Sequence, residues 1–289
     1  MENPNHNNIS EIFHSIYFEE FIYDSKVKLW FVLNENNIYE EEDDKGISIK
    51  SKIKEVSNKI EKYILDKNLS LVNEKQRSEN YKLINKIISF CSNQSNKNYI
   101  VDCLKEYYNQ AGIYEKMDNN LYLFAFNNIV FDLKTKKKRK AKPEDLITIT
   151  CGYDYIEGEK DKRVKAKEYL IKILEDIIHY KNEKDEEKNK EEFEHILKTS
   201  AFCLSGSTKK EKYYTLLGDG GNGKGVWAKL MSLVLEKYYR EININFVTGK
   251  DDSGSENASP LLAGLKKVRY LVSTEPPANC KLNSAMVKK

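Results

Sequence analysis

The 289-residue sequence predicts an α+β N-terminal region followed by the start of an α/β domain, and three observations carry that reading. Hairpin signatures and runs with apolar residues three or four apart alternate through the first part of the chain. A glycine-rich turn, Gly218 to Gly223, then separates an aromatic and apolar run from a further helical run. Lastly, Lys266 to Glu275 reads as a strand that delivers a carboxylate at its C-terminal end, where open α/β sheets bind ligands.

In chain order, Ile12, Phe13, Ile16, Tyr17, Phe21 and Ile22 form a helical stripe that packs. Lys28 to Leu33 and Ile38-Tyr39 predict a hairpin around Asn34 to Asn37, closed by the acidic run Glu40 to Asp44 as a solvated turn. Ile47 to Leu69, Tyr81 to Phe90 and Asn98 to Tyr108 predict a small helical bundle with ordinary core faces. Leu121 to Phe126 and Ile129 to Leu133 predict a second hairpin about Asn127-Asn128. A basic run follows: Lys134, Lys136, Lys137, Lys138, Arg139, Lys140 and Lys142 read as a phosphate-contacting loop on DNA or RNA, as a nuclear address, or as a solvated hairpin tip. Leu146 to Thr150 is strand-like, Val164 to Tyr180 helical, Lys181 to Glu192 a charged connector, and Phe193 to Leu204 a last helix before the glycine-rich turn.

Tyr213 to Leu217 predicts a buried strand, and Val226, Trp227, Leu230, Leu233, Val234 and Tyr238 a helix after the turn. Glycines between them let backbone N–H groups converge on an anion, and the helix dipole favours phosphate at its N-terminus. The expected phosphate-binding residues are therefore Gly218, Asp219, Gly220, Gly221, Asn222, Gly223, Lys224, Gly225 and Val226, with Lys224 supplying charge to the β- and γ-phosphates of ATP. The pattern G-x-x-x-x-G-K is complete, but Gly225 stands where Ser or Thr ligates Mg²⁺. Glu275 is then the expected metal ligand, activator of the attacking water, or both. Residues 241–258 read as a polar loop and Ser259 to Leu265 as a short helix.

Composition bounds the rest. A net charge of +3 gives no bulk argument for nucleic acid, so any such contact rests on local patches. Five cysteines without a C-x-x-C pair read as reduced thiols of an intracellular protein, and four histidines lack zinc spacing with them. No apolar run reaches the roughly 18 residues of a membrane helix, and Met1 to Glu11 lacks the order of a targeting peptide.

Several segments together resemble the D5-like primase–helicases of large DNA viruses and the phage P4-type superfamily 3 helicases. Ala125-Phe126-Asn127-Asn128-Ile129-Val130-Phe131-Asp132-Leu133-Lys134-Thr135 is similar to that family's N-G-V-[FY]-D-L-x-T hairpin, with Asn128 in place of glycine. Pro143-Glu144-Asp145-Leu146-Ile147-Thr148 resembles its P-E-D-x-I-T segment, and Ser273-Thr274-Glu275-Pro276 its Walker B strand. Residues 80–289 carry the resemblance. The spacing gives an N-terminal helical and hairpin region over 1–79 and a boundary in the charged connector near Glu191, and the resemblance implies an accessory domain over 80–190 and an AAA+-like P-loop NTPase domain over 191–289, incomplete at its C-terminus. It further implies a homo-hexamer that translocates on DNA, replication partners, ATP and Mg²⁺ as cofactors, and the host cytoplasm or a viral replication compartment. Lys136 to Lys140 are the candidate DNA contacts. The sequence ends before a sensor and an arginine finger, so the expectation is a fragment or split product that hydrolyses poorly, since such fingers contribute on the order of 10³–10⁵ in rate. Two other classes remain open on the residues: a P-loop kinase or small NTPase, and a nucleotide-independent adaptor that holds DNA or a partner.

Overall fold

The computed structural model describes residues 3–69, 73–179, 186–217, 221–244, 248, 264–273, 281 and 283. Chain contacts divide it into two units, Met1–Asn119 with Lys142–Thr148, and Asn120–Ala141 with Ile149–Lys289. The first unit thus unites residues on both sides of the expected boundary at 79/80, because its core draws on Ile9 through Tyr108.

The first unit is α+β. Helix α1 (His6–Tyr17) leads into an antiparallel sheet of β1 (Phe21–Asp24), β2 (Leu29–Leu33) and β3 (Tyr39–Glu42), followed by α2 (Ile47–Leu69), α3 (Glu74–Ser92) and α4 (Gln94–Tyr108). Phe21 and Ile22, expected on the stripe of α1, are strand residues. Phe21 and Tyr23 face the helices with Trp30 and Val32, while Ile22 turns to the opposite face with Phe31, Tyr39, Ile113 and Met117. A short apolar run fits both a helical and an alternating period, and here the pairing with β2 decides. The acidic run is likewise largely strand: Glu40 to Glu42 pair with Trp30 to Val32. The Glu42 carboxylate accepts from the backbone N–H (3.1 Å) and hydroxyl of Ser48, satisfying a donor at the start of α2.

Asp24 closes this unit. Its side chain is buried and accepts backbone N–H groups of Lys26, Gly112 and Tyr114, each at 2.9 Å. Burial alone would raise its pKa, but the N–H groups of Gly112, Tyr114, Lys26 and Val27 hold it below the ordinary carboxylate value. The Pro143 to Thr148 segment clips onto the same unit: Tyr39 N–H donates to Ile147 O (2.8 Å), and Thr148 donates through N–H and hydroxyl to Asp118 (2.7 and 2.6 Å). Leu146 to Thr150 forms no strand; Pro143–Asp145 is a 3-10 turn and Leu146 takes a left-handed φ of 50°. Those backbone groups are satisfied by Asp118 and β3 rather than by a ladder.

In the second unit, β4 (Leu123–Ala125), β5 (Val130–Asp132) and β6 (Lys137–Arg139) form an antiparallel sheet. The basic run is therefore an edge strand and its turn, where lysines also discourage edge-to-edge pairing. Asp132 accepts from the N–H groups of Lys134 (2.9 Å) and Thr135 (3.2 Å), which sets that turn. Helices α5 (Lys160–His179) and α6 (Glu186–Phe202) follow, so Glu186 to Glu192 of the expected connector is helical. Helix α7 (Lys224–Leu235) continues through a 3-10 turn, Glu236–Tyr238, into β7 (Tyr239–Ile242). That strand pairs in parallel with β8 (Tyr270–Ser273).

Tyr213 to Leu217 differs from expectation: it joins no ladder among the described residues and is exposed, Leu217 to 80%. Apolar β-formers make a strand only when a neighbour supplies the hydrogen bonds, and β8 pairs with β7. Most of the polar loop over 241–258 and the short helix over Ser259 to Leu265 lie outside the described residues.

Candidate functional site

The described part of the glycine-rich turn has the backbone its sequence requires. Gly221 and Gly223 both take left-handed φ, 78° and 80°, which glycine adopts at no steric cost. A Cβ at Gly221 would meet nothing within 4 Å, whereas one at Gly223 would lie 2.5 Å from Ile177 Cγ1 on α5. Gly223 is thus required twice, by its dihedral and by helix contact.

Helix α7 begins at Lys224, and no side chain caps its N-terminus. Its first-turn N–H groups lack the usual side-chain acceptor, which leaves the helix end suited to an anion. The Lys224 amine is held beside the loop by Asn222 Oδ1 at 2.7 Å. Gly225 and Val226 are exposed, and a side chain at 225 would enter open space. These residues fit a triphosphate: glycine backbone, uncapped donors and one ammonium lie within four consecutive positions. Gly218, Asp219, Gly220 and the expected carboxylate Glu275 lie outside the described residues.

The floor under α7 is made by the β4–β5 hairpin. Met231, Leu235 and Tyr238 are buried with Phe124 and Cys151, and Trp227, Phe126, Phe131 and Tyr270 pack around them. Burial pushes the Cys151 and Cys203 thiols above their ordinary values, so both stay protonated at neutral pH. Tyr153 ties the hairpin side to the helix by donating to Val234 O at 2.6 Å. The hairpin turn is pinned through Asn128, whose side-chain amide donates to Tyr155 O (3.1 Å) and accepts from Tyr155 N–H (2.9 Å). Neither Asn127 nor Asn128 is among the residues with left-handed φ, so this turn does not demand glycine. Asn128→Gly is accordingly expected to destabilise the protein by about 1–2 kcal/mol, two neutral hydrogen bonds' worth. Thermal unfolding of the variant checks it.

The basic residues lie at the other edge of that sheet. Lys136, with a left-handed φ of 56°, Lys137, Lys138 and Lys140 are exposed, and Arg139 is half-buried, donating to Lys140 O at 3.0 Å. Lys134 stands 4.4 Å over the Tyr122 ring, and Lys138 stands 5.2 Å over Tyr155 while pairing with Glu157. That pairing neutralises part of the row and lowers the Glu157 pKa.

Sequence reading missed Arg269. Its guanidinium donates to Leu204 O and to Leu123 O (2.7 Å) and lies 4.2 Å over the Tyr238 ring. One signal was available: Arg269 is one of five arginines among 48 basic residues, and arginine is the side chain whose planar fork serves two carbonyls at once. Among the described residues no group of three or more His, Cys, Asp and Glu is placed to hold a metal ion. No described helix is long and apolar enough to cross a membrane.

With this geometry in hand, comparison with known proteins gives two kinds of match. Residues 10–203 match the family described as "D5 N terminal like". That match reaches back to the first helix, well upstream of residue 80. A protein of Acanthamoeba polyphaga mimivirus named "Putative helicase L207/L206" is 31% identical over 218 residues, 75% of this chain and 21% of that protein. "Putative helicase 184R" of Invertebrate iridescent virus 6 is 26% identical over 214 residues, 72% of this chain and 20% of that protein. The chain spans about a fifth of the length of these curated relatives.

Proposed function

The chain belongs to the D5-like primase–helicase family, and on that premise we propose that it is part of an ATP-dependent DNA helicase. In this reading Gly218 to Val226 open an AAA+-like P-loop NTPase domain and bind ATP. Lys224 carries the charge to the β- and γ-phosphates, and the α7 N–H groups bind the phosphate oxygens. Glu275 takes Mg²⁺ and the attacking water, because Gly225 offers no hydroxyl. Bound Mg²⁺ would supply charge neutralisation at the transferring phosphoryl group. DNA meets the Lys136 to Lys140 edge. Assembly as a homo-hexamer with replication partners, in a host cytoplasm or viral replication compartment, belongs to the same proposal.

The observation that supports it is the pair of left-handed glycines running into an uncapped helix whose first residue is Lys224. Lys224→Ala is expected to weaken binding of a fluorescent ATP analogue about 10–150-fold, the loss of one charged hydrogen-bonded contact of about 1.5–3 kcal/mol. Unchanged affinity in that titration would remove the nucleotide reading.

The exposed run Tyr213 to Leu217 favours a second reading, in which this surface holds a partner without nucleotide. Turnover measured with and without single-stranded DNA separates the two, since the helicase reading expects stimulation and the adaptor reading expects none.

A further inference from the structure

We propose that Arg269 is the residue that couples the nucleotide loop to the basic edge strand β6, an inference that rests on the nucleotide reading above. Arg269 stands immediately before β8 and touches the far end of the segment that starts at the loop and, through Leu123 of β4, the sheet that carries β6. On one side its backbone N–H donates to Tyr238 O (2.8 Å), and its guanidinium covers the ring of the same tyrosine. Tyr238 ends the continuous α7 and 3-10 segment that starts at Lys224. On the other side the guanidinium holds Leu123 O at 2.7 Å.

Leu123 lies opposite Asp132, and Asp132 opposite Lys137, so one row of the sheet runs from the Arg269 contact to the exposed lysines. Asp132 also sets the turn before β6 through Lys134 and Thr135. A displacement of α7 when phosphate fills its N-terminus therefore meets a charged, directional joint at its far end. The joint bears on the row that carries Lys137. Packing of Phe124 against Met231 and Leu235 has no direction, and the Tyr153 hydroxyl on Val234 O (2.6 Å) holds the helix to a residue outside the sheet. The guanidinium bonds are directional, and fix which strand position follows the helix.

The reaction itself is untouched by this role. Arg269 acts on other residues, and its signature is linkage between two ligands rather than affinity for either.

The test measures binding of a fluorescent oligothymidylate to the full chain with and without a non-hydrolysable ATP analogue and magnesium. In the wild type the analogue is expected to change oligonucleotide affinity at least about fivefold, within the usual range of site-to-site coupling. In Arg269→Gln each ligand alone is expected to bind within about twofold of wild type, with the linkage ratio falling to near one. Arg269→Lys, which keeps the charge over Tyr238 but not the two-carbonyl fork, is expected to at least halve the ratio. It decides the matter if the Gln variant does not fold. An unchanged ratio in a folded variant overturns the proposal, and so does a ratio of one in a wild type that binds both ligands. A wild type that binds no nucleotide overturns the nucleotide reading and this inference with it, which distinguishes the two failures.

Discussion

Asp24→Ala is expected to destabilise the first unit by about 2–3 kcal/mol, because it removes the buried acceptor of three backbone N–H groups, two of them on half-buried residues, at about 1 kcal/mol each. Those donors come from Lys26, Gly112 and Tyr114, so the loss opens both the β1–β2 turn and the chain leaving α4. A fall in unfolding temperature on the order of 10 °C is the corresponding signal. Asp24→Asn keeps an acceptor oxygen and is expected to lie between wild type and Ala.

The pH dependence has a definite sign. The folded Asp24 carboxyl lies below its ordinary value, so its contribution is complete above the unfolded pKa near about 4. It is lost as pH falls through the folded value. Asp44, where burial is outweighed by hydrogen bonds from Lys105 and Tyr23, acts in the same direction. Wild-type stability is therefore expected to fall more steeply below pH ~4 than that of Asp24→Ala. Parallel slopes in acid-unfolding curves would show that Asp24 does not carry the dependence.

Gly223→Ala is expected to cost about 2–4 kcal/mol, and Gly221→Ala only about 1–2 kcal/mol. Both substitutions force a Cβ onto left-handed backbone, but only the one at 223 meets Ile177. The difference between them isolates the contact with α5. Shortening Ile177 to Ala in the Gly223→Ala background is expected to recover that difference and leave the backbone strain, giving a double-mutant cycle readable by thermal unfolding. Nucleotide affinity is expected to fall in Gly223→Ala beyond the loss in Gly221→Ala, since the shift is passed to Lys224. If the two variants unfold together, Ile177 places no constraint on the loop.

Much of the fold was legible where periodicity ran long. Helix α2 spans Ile47–Leu69 as its apolar spacing predicts, and the β4–β5 hairpin brackets Asn127-Asn128 as its alternation predicts. Errors concentrated where a short run suits two periods, as at Phe21-Ile22, or where composition was read without a partner. Glu40 and Glu41 are exposed as their charge predicts, but the run looked like a turn because charge is local information, whereas membership of β3 depends on Trp30 to Val32 across the ladder. Tyr213 to Leu217 erred in the other direction, having strand propensity without a neighbouring strand among the described residues.

At the candidate site the division follows the range of the forces. Chain order alone determined the glycine dihedrals, the helix start at Lys224 and the basic run, because these depend on neighbours a few residues away. Which surfaces these elements meet was decided only by tertiary structure: Gly223 against Ile177, α7 on Phe124, and Arg269 between Leu123 and Tyr238. Such contacts join residues up to 146 positions apart, and no local pattern encodes them. Burial and directional hydrogen bonds select them once the chain has closed on itself.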